Sequence, residues 1–302
     1  MEATVPSNHV ILHTLRAYSQ LMKLPIVTLL VFTTVTAMVV AADGLPPAHV
    51  ILPTIIGGFM AAAGASALNQ YVDRDMDRRM TRTSRRPIPS GRIAPINALL
   101  FGLALVAWSV LILGVMVNWL AAALAFAGAI YYVVLYTMVL KRNTVINIVI
   151  GGGAGAIPVL VGWAAVTQTV PLEAWLLFAI VFFWTPPHSW ALAILVNKDY
   201  AAANVPMMPV ARGEEITRWQ ILAYSLQLVA ITLIPSMGLL LPVQPMLGVF
   251  YTVCAVLLGL GMIYLSIKLI RKADKVVARQ LYKYSSLYLA GLFMAMIVDR
   301  LL

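Results

Sequence analysis

Apolar residues in this chain gather in long runs, and polar residues collect in the short gaps between them. Windows of about 20 residues, the length a helix needs to cross a bilayer, fall near 24–42, 48–70, 94–117, 119–140, 144–166, 172–196, 217–240, 246–269 and 283–301. The pattern predicts nine transmembrane helices and an all-α polytopic membrane protein. The third and fourth windows meet at Val117-Asn118-Trp119, where polar Asn118 and interfacial Trp119 predict a tight turn in place of one very long helix.

Composition removes the soluble alternatives. Hydrophobic residues make up 62% of the 302 positions, charged residues 11%, and the mean hydropathy is +0.91; soluble domains carry about 25% charged residues. The single cysteine, Cys254, excludes a disulfide framework and a cysteine metal cluster, and its apolar surroundings predict a packing role. The first 15 residues hold Glu2, Asn8, His9 and His13 without an apolar core. Neither a secretory signal nor an Arg-rich transit peptide is expected there.

Net charge is +10, yet the basic residues form no soluble module that would suit nucleic acid. With nine helices, all of the 21 Lys and Arg except Arg300 fall on one side of the membrane. The segregation predicts a plasma-membrane protein, bacterial or archaeal, with its N-terminus cytoplasmic and its C-terminus outside. Membrane lipid or an anionic substrate is the partner this charge implies. The two richest polar loops follow the second and sixth helices, and Asn69 and Asp73 correspond loosely to Asn197 and Asp199. One domain over 1–302 is expected, with a pseudo-repeat of 20–140 and 144–270 plus a ninth helix at 283–301. Both loops would then face one central cavity opening near the cytoplasmic face.

Chemistry concentrates in those loops. Asn69, Asp73 and Asp77 are spaced i, i+4, i+8 at the end of the second helix and form one stripe, with Asp75 turned roughly the opposite way. Three carboxylates within five residues repel one another, so the arrangement makes sense around a divalent cation. Oxygen donors without Cys or clustered His favour Mg²⁺ or Mn²⁺, and Mg²⁺ held by few carboxylates implies a phosphorylated substrate. Arg78, Arg82, Arg85 and Arg86 follow, ahead of Pro87-Ile88-Pro89-Ser90-Gly91-Arg92, and supply guanidinium forks for a diphosphate. After the sixth helix, Asp199 offers another metal oxygen and Lys198 another phosphate contact.

Inside the sixth helix lies Trp184-Thr185-Pro186-Pro187-His188-Ser189-Trp190. Prolines here remove backbone hydrogen bonds, which is tolerated where a helix lines a cavity or packs on protein. His188 reads either as a hydrogen-bonded packing histidine or as a contact to substrate or haem iron, and Trp184 and Trp190 could pack a flat ligand. Gly151-Gly152-Gly153-Ala154-Gly155 lacks the preceding strand and following Lys of a nucleotide loop. It predicts close helix packing, with Gly151 and Gly155 at small-xxx-small spacing. Tyr282, Tyr284 and Tyr288 are expected to anchor the interface, and 268–283 to form a lipid-facing basic surface.

Together these residues resemble a known family. Asn69, Asp73 and Asp77, followed by Arg78, Arg82-Thr83, Arg86-Pro87 and Ser90-Gly91, are similar to the first aspartate motif of the UbiA-type intramembrane prenyltransferases. Trp184-Thr185-Pro186-Pro187-His188, Asp199-Tyr200, the run 205–210 and the segment from Asn147 through Trp163 resemble its haem-farnesylating branch. The resemblance covers about 20 to 300. It implies transfer of a farnesyl group from farnesyl diphosphate to a vinyl group of haem B, with addition of water and release of diphosphate. It also implies that Asp73, Asp77 and Asp199 act in catalysis, and that Asn69 joins them around Mg²⁺. Asn69, Arg78, Arg82, Arg86 and Lys198 would bind diphosphate, and His188 and Trp184 would lie on the haem side. Haem A synthase or a terminal oxidase assembly is the implied protein partner.

Two positions depart from the family pattern. Ala203 stands where a second-motif aspartate is common, and Lys23-Leu24-Pro25-Ile26 replaces a Lys-Pro-Arg pattern. An aromatic-ring polyprenyltransferase of the 4-hydroxybenzoate type would use the same aspartates, and a cation transporter could use intramembrane Asp and His. Against the transporter, the acids crowd one mouth and do not line a path across the bilayer.

Overall fold

The computed structural model describes residues 7–237 and 246–302, with side chains from residue 12 onward. In chain order the helices are α1 (Ser7–Met22), α2 (Leu24–Ala42), α3 (Ala48–Val72), α4 (Arg74–Asp77), α5 (Pro95–Met116), α6 (Trp119–Ile130), a π-helical segment (Tyr131–Leu140), α7 (Lys141–Asn143), α8 (Asn147–Thr167), α9 (Leu172–Leu195), α10 (Asn197–Ala202), α11 (Met208–Ala211), α12 (Gly213–Met237), α13 (Val249–Lys272) and α14 (Lys275–Leu301). Among the described residues nine helices are long and apolar enough to cross a membrane, α6, the π segment and α7 forming one continuous span, Trp119–Asn143. Positions 238–240, at the end of the predicted seventh span, lie outside the described residues.

Local chemistry sets the helix boundaries. Asn118 caps α6, its Oδ1 accepting from Ala121 N at 2.8 Å, and its Nδ2 donates to Ala164 O at 2.9 Å. The turn expected at Asn118 is thus also a tie to α8. Asp274 caps α14 through Val276 N at 3.0 Å, which starts that helix eight residues before the expected 283 and draws much of the basic run 268–283 into helix. A helix missed by the apolar windows is α1, whose buried Ala17 and Leu21 pack with Ala67, Ile88, Ile93 and Ala98. Lys23, at φ 53°, separates α1 from α2. Pro186 and Pro187 are buried inside α9, which continues through them.

Packing is densest around α8 and α9, where 61% and 56% of the most apolar stretch is buried against 17% for the Trp119–Asn143 span. Glycine permits the closest approaches: an added Cβ at Gly162 would overlap the backbone oxygen of Thr34 in α2, and one at Gly151 would overlap the Tyr136 ring. Gly155 differs from the packing role expected of it, since a Cβ there meets nothing within 4 Å. Its same-face neighbours Ile148, Gly151, Val159 and Gly162 are all buried, whereas Gly155 is half-buried. The face of α8 is open to space at that one level.

Of the three tyrosines of α14, Tyr288 turns wholly inward and does not anchor an interface, while Tyr282 and Tyr284 are half-buried. Tyr288 is fully buried with its hydroxyl on Thr232, 3.2 Å, and Tyr284 donates to Leu258 O at 2.9 Å. Tyr282 packs against His188. At the opposite end of the bundle, Arg300 pairs with Asp43 at the end of α2 and donates to Met246 O.

Candidate active site

The stripe predicted at the end of the second span forms, although α3 gives way to α4 within it. Asp73 N donates to Asn69 O at 2.9 Å and Asp77 N to Asp73 O at 2.8 Å, so the i, i+4 spacing survives the bend. Asn69, Asp73 and Asp77 are 3%, 0% and 1% exposed. Asp75 points away, its side chain 61% exposed, as the helical spacing requires.

Buried carboxylates need compensation, and each finds a cation. Asp73 Oδ2 receives Lys141 Nζ at 2.5 Å, with Arg142 Nη2 at 3.8 Å from Oδ1. Asp77 takes Arg86 Nη1 at 3.0 and 2.8 Å on its two oxygens. Asn69 donates to Asp73 Oδ2 at 2.9 Å and to Thr137 Oγ1 at 3.0 Å, and accepts from Lys23 Nζ at 2.8 Å. Burial, reinforced by the charges of Arg86 and Lys141, lowers Lys23 to about 7. Arg142 also grips Asp75 through two bonds of 3.1 and 3.2 Å, whose main effect is to hold that carboxyl below the usual range.

The π segment delivers two of these partners. Its wider turn, seen in the 2.8 Å bond from Thr137 Oγ1 to Tyr132 O five residues back, accompanies the approach of Thr137 to Asn69 and of Lys141 to Asp73. π geometry is rare and recurs at functional sites. Sequence reasoning counted Lys141 and Arg142 only as topology charges and did not single out Thr137. An ion pair between residues 68 positions apart leaves no local spacing to read.

The second polar loop meets the first. Asp199 Oδ2 accepts from Arg82 N at 3.2 Å. A cavity of about 160 Å³ lies between Asp75, Arg79 and Arg142 on one side and Ala203, Asn204 and Val205 on the other. The side chains of Arg78, Arg82 and Lys198 are exposed, whereas Arg86 turns inward. Among the described residues no three His, Cys, Asp or Glu side chains form a ready metal-binding group. The donor set still suits a hard cation: it is all oxygen, and Asp73 Oδ1 is buried without a hydrogen-bond partner.

On α9, His188 Nδ1 lies 2.8 Å from Ser285 Oγ, and Trp184 Nε1 donates to Ser285 O at 2.6 Å. The Trp184 ring stacks on His188 with centroids 4.4 Å apart, and buried Trp190 packs edge-on with Tyr224 at 5.3 Å. Each tryptophan offered to a flat ligand by the sequence already packs against a neighbouring ring, Trp184 by one face. Ser285 was not among the expected residues.

Among the described residues nine apolar helices, with buried aspartates and facing guanidinium and ammonium groups gathered at one end, define a polytopic integral membrane protein with a charged site at the edge of an apolar interior. Residues 30–295 match the UbiA prenyltransferase family, and the chain belongs to it. It is 50% identical over 286 residues to a protoheme IX farnesyltransferase of Roseiflexus sp. (strain RS-1), covering 95% of this chain and 52% of that protein. The chain thus spans about half the length of that curated relative. Against the protoheme IX farnesyltransferase of Gloeothece citriformis (strain PCC 7424) identity is 47% over 291 residues, covering 96% of this chain and 88% of the relative. Among solved structures, digeranylgeranylglyceryl phosphate synthase superposes with a TM-score of 0.76 at 18% identity, over 95% of this chain and 98% of that one. A UbiA homolog from Archaeoglobus fulgidus bound to GPP and Mg²⁺ gives 0.63 at 17%, over 93% and 99%. These structures share the fold.

Proposed function

We propose that this protein transfers a farnesyl group from farnesyl diphosphate to a vinyl group of haem B, with addition of water, giving haem O and diphosphate. The observation that carries the reading is the buried Asn69–Asp73–Asp77 stripe with Lys141 and Arg86 closed on it. The names of the relatives supply the acceptor. The N-terminus is assigned to the cytoplasm, because the basic loops and this stripe share one end of the bundle.

Mg²⁺, held by Asn69, Asp73, Asp77 and Asp199, would neutralise diphosphate and make it a better leaving group. Lys141 and Arg86 offer charge-assisted hydrogen bonds to the oxygens where negative charge grows as the C1–O bond breaks, and Lys23 offers a further donor beside them. The allylic cation forms its new bond to a vinyl carbon of haem B. Water then adds at the adjoining carbon and loses a proton, leaving a hydroxyethylfarnesyl side chain. The apolar faces of α8 and α9 keep water from capturing the cation first.

The test is mass spectrometry of haem extracted after incubating the full chain with haem B, farnesyl diphosphate and Mg²⁺, beside controls lacking each. A product heavier by one farnesyl group plus water is expected. Unmodified haem, with diphosphate released when 4-hydroxybenzoate replaces it, would overturn the acceptor and leave an aromatic-ring prenyltransferase.

A further inference from the structure

Ser285 determines which nitrogen of His188 carries the proton. Its Oγ donates to Tyr282 O at 2.8 Å, and a hydroxyl has one proton to give. In the 2.8 Å bond to His188 Nδ1 the same oxygen can therefore only accept. This bonding pattern assigns the proton to Nδ1 and the lone pair of the neutral ring to Nε2. Trp184, stacked at 4.4 Å and 23°, and Tyr282, at 4.7 Å and 33°, flank the ring. The Trp184 bond to Ser285 O ties this aromatic pair to α14 as well.

Nε2 has no hydrogen-bond partner among the described residues and is not among the sealed polar atoms. Val181, Trp184 and Ala191, on the same face of α9 at i−7, i−4 and i+3, are buried to 2%, 8% and 0% exposure, while His188 is half-buried. An oriented imidazole with one nitrogen unpaired and the other hydrogen-bonded is how proteins present histidine to a metal.

We propose that His188 Nε2 is the axial ligand of the haem iron of the acceptor, and that Ser285 is the positioning residue that fixes its tautomer and basicity. This rests on the haem reading above. Ligation would fix the macrocycle against α9 and with it the distance of the vinyl group from the prenyl donor, with no change in iron oxidation state.

Resonance Raman spectroscopy of the full chain with ferrous haem, without prenyl donor, tests it. The wild type should show an iron–histidine stretching band. His188→Ala should lose it, and added imidazole should restore it, which separates ligand loss from misfolding. Ser285→Ala should keep the band at lower frequency, because Nδ1–H loses its acceptor and the ring becomes a weaker donor, and Ser285→Thr should return it towards the wild-type position. An unchanged band in His188→Ala, or no band in the wild type, overturns the ligation. An unchanged frequency in Ser285→Ala overturns the positioning role. Farnesylation is read separately by mass spectrometry: a wild type that makes product without the band refutes this proposal alone, and one with the band but no product refutes only the reaction.

Discussion

Lys141 Nζ sits 2.5 Å from Asp73 Oδ2, with the carboxylate 0% and the lysine 12% exposed. Two opposite charges removed from water in this way hold each other in place, and losing one partner leaves the other uncompensated. Lys141→Gln should therefore destabilise the protein by on the order of 3–5 kcal/mol, and the double variant with Asp73→Asn should recover part of that. Thermal midpoints in detergent measure both. Turnover should stay lost in the double variant, by about a hundredfold or more; a recovered rate would refute the role of the pair in catalysis.

Asp75 offers the contrasting case two residues away. Its bonds to Arg142 lie at the surface, where such pairs contribute about 0–1 kcal/mol. Asp75→Asn should shift the midpoint little and leave haem farnesylation near wild type, while Asp73→Asn and Asp77→Asn abolish it in folded protein. Because Arg142 lowers the Asp75 carboxyl, its small contribution exists at neutral pH and fades as pH falls through the lowered value. A midpoint difference between wild type and Asp75→Asn that grows on acidification would contradict this.

Gly155 stands eight residues along α8 from Asn147, about 12 Å deeper into the bundle, on a face closed everywhere else. A farnesyl chain running along α8 from a diphosphate held at the aspartates would pass this open level. Gly155→Leu should lower use of farnesyl diphosphate by about tenfold or more relative to geranyl diphosphate, with Gly155→Ala between. Equal losses for both donors, measured as kcat/KM, would place the open space elsewhere in the reaction.

Asn118 joins a helix cap to a bond across to α8. Asn118→Ala should cost about 1–2 kcal/mol with KM unchanged. A shift in KM would mean that the far end of the bundle reaches the site.

Much of this was legible in the chain. Apolar windows located the nine spans found among the described residues because a bilayer demands long uninterrupted runs, and the edges of most moved by only a few residues. The Asn69–Asp73–Asp77 stripe was legible for a similar reason, since helical spacing alone places those side chains together. What escaped were partners brought from elsewhere: Lys141 on Asp73, Ser285 on His188, Thr137 on Asn69. Such contacts depend on how helices pack, and no local periodicity encodes them. The start of α14 escaped because a charged first turn reads as loop until Asp274 is seen capping it. Gly155 was grouped with Gly151 by spacing, yet only the neighbouring helices decide which glycine is filled and which is left open.

The π-helical segment gives the fourth span an unusual sensitivity to counting. Ten residues there wind more widely than an α-helix would, so the chain after them leaves at an angle set by how many residues are wound as much as by which ones. Removing one residue between Tyr131 and Leu140, even an apolar one, would return the turn towards α pitch. Everything beyond would then change its rotation about the helix axis, drawing Lys141 away from Asp73 with every ligand and charge of the site still present in the sequence. At this position length itself sets the geometry of the site, and a deletion that looks harmless in composition would pull that site apart.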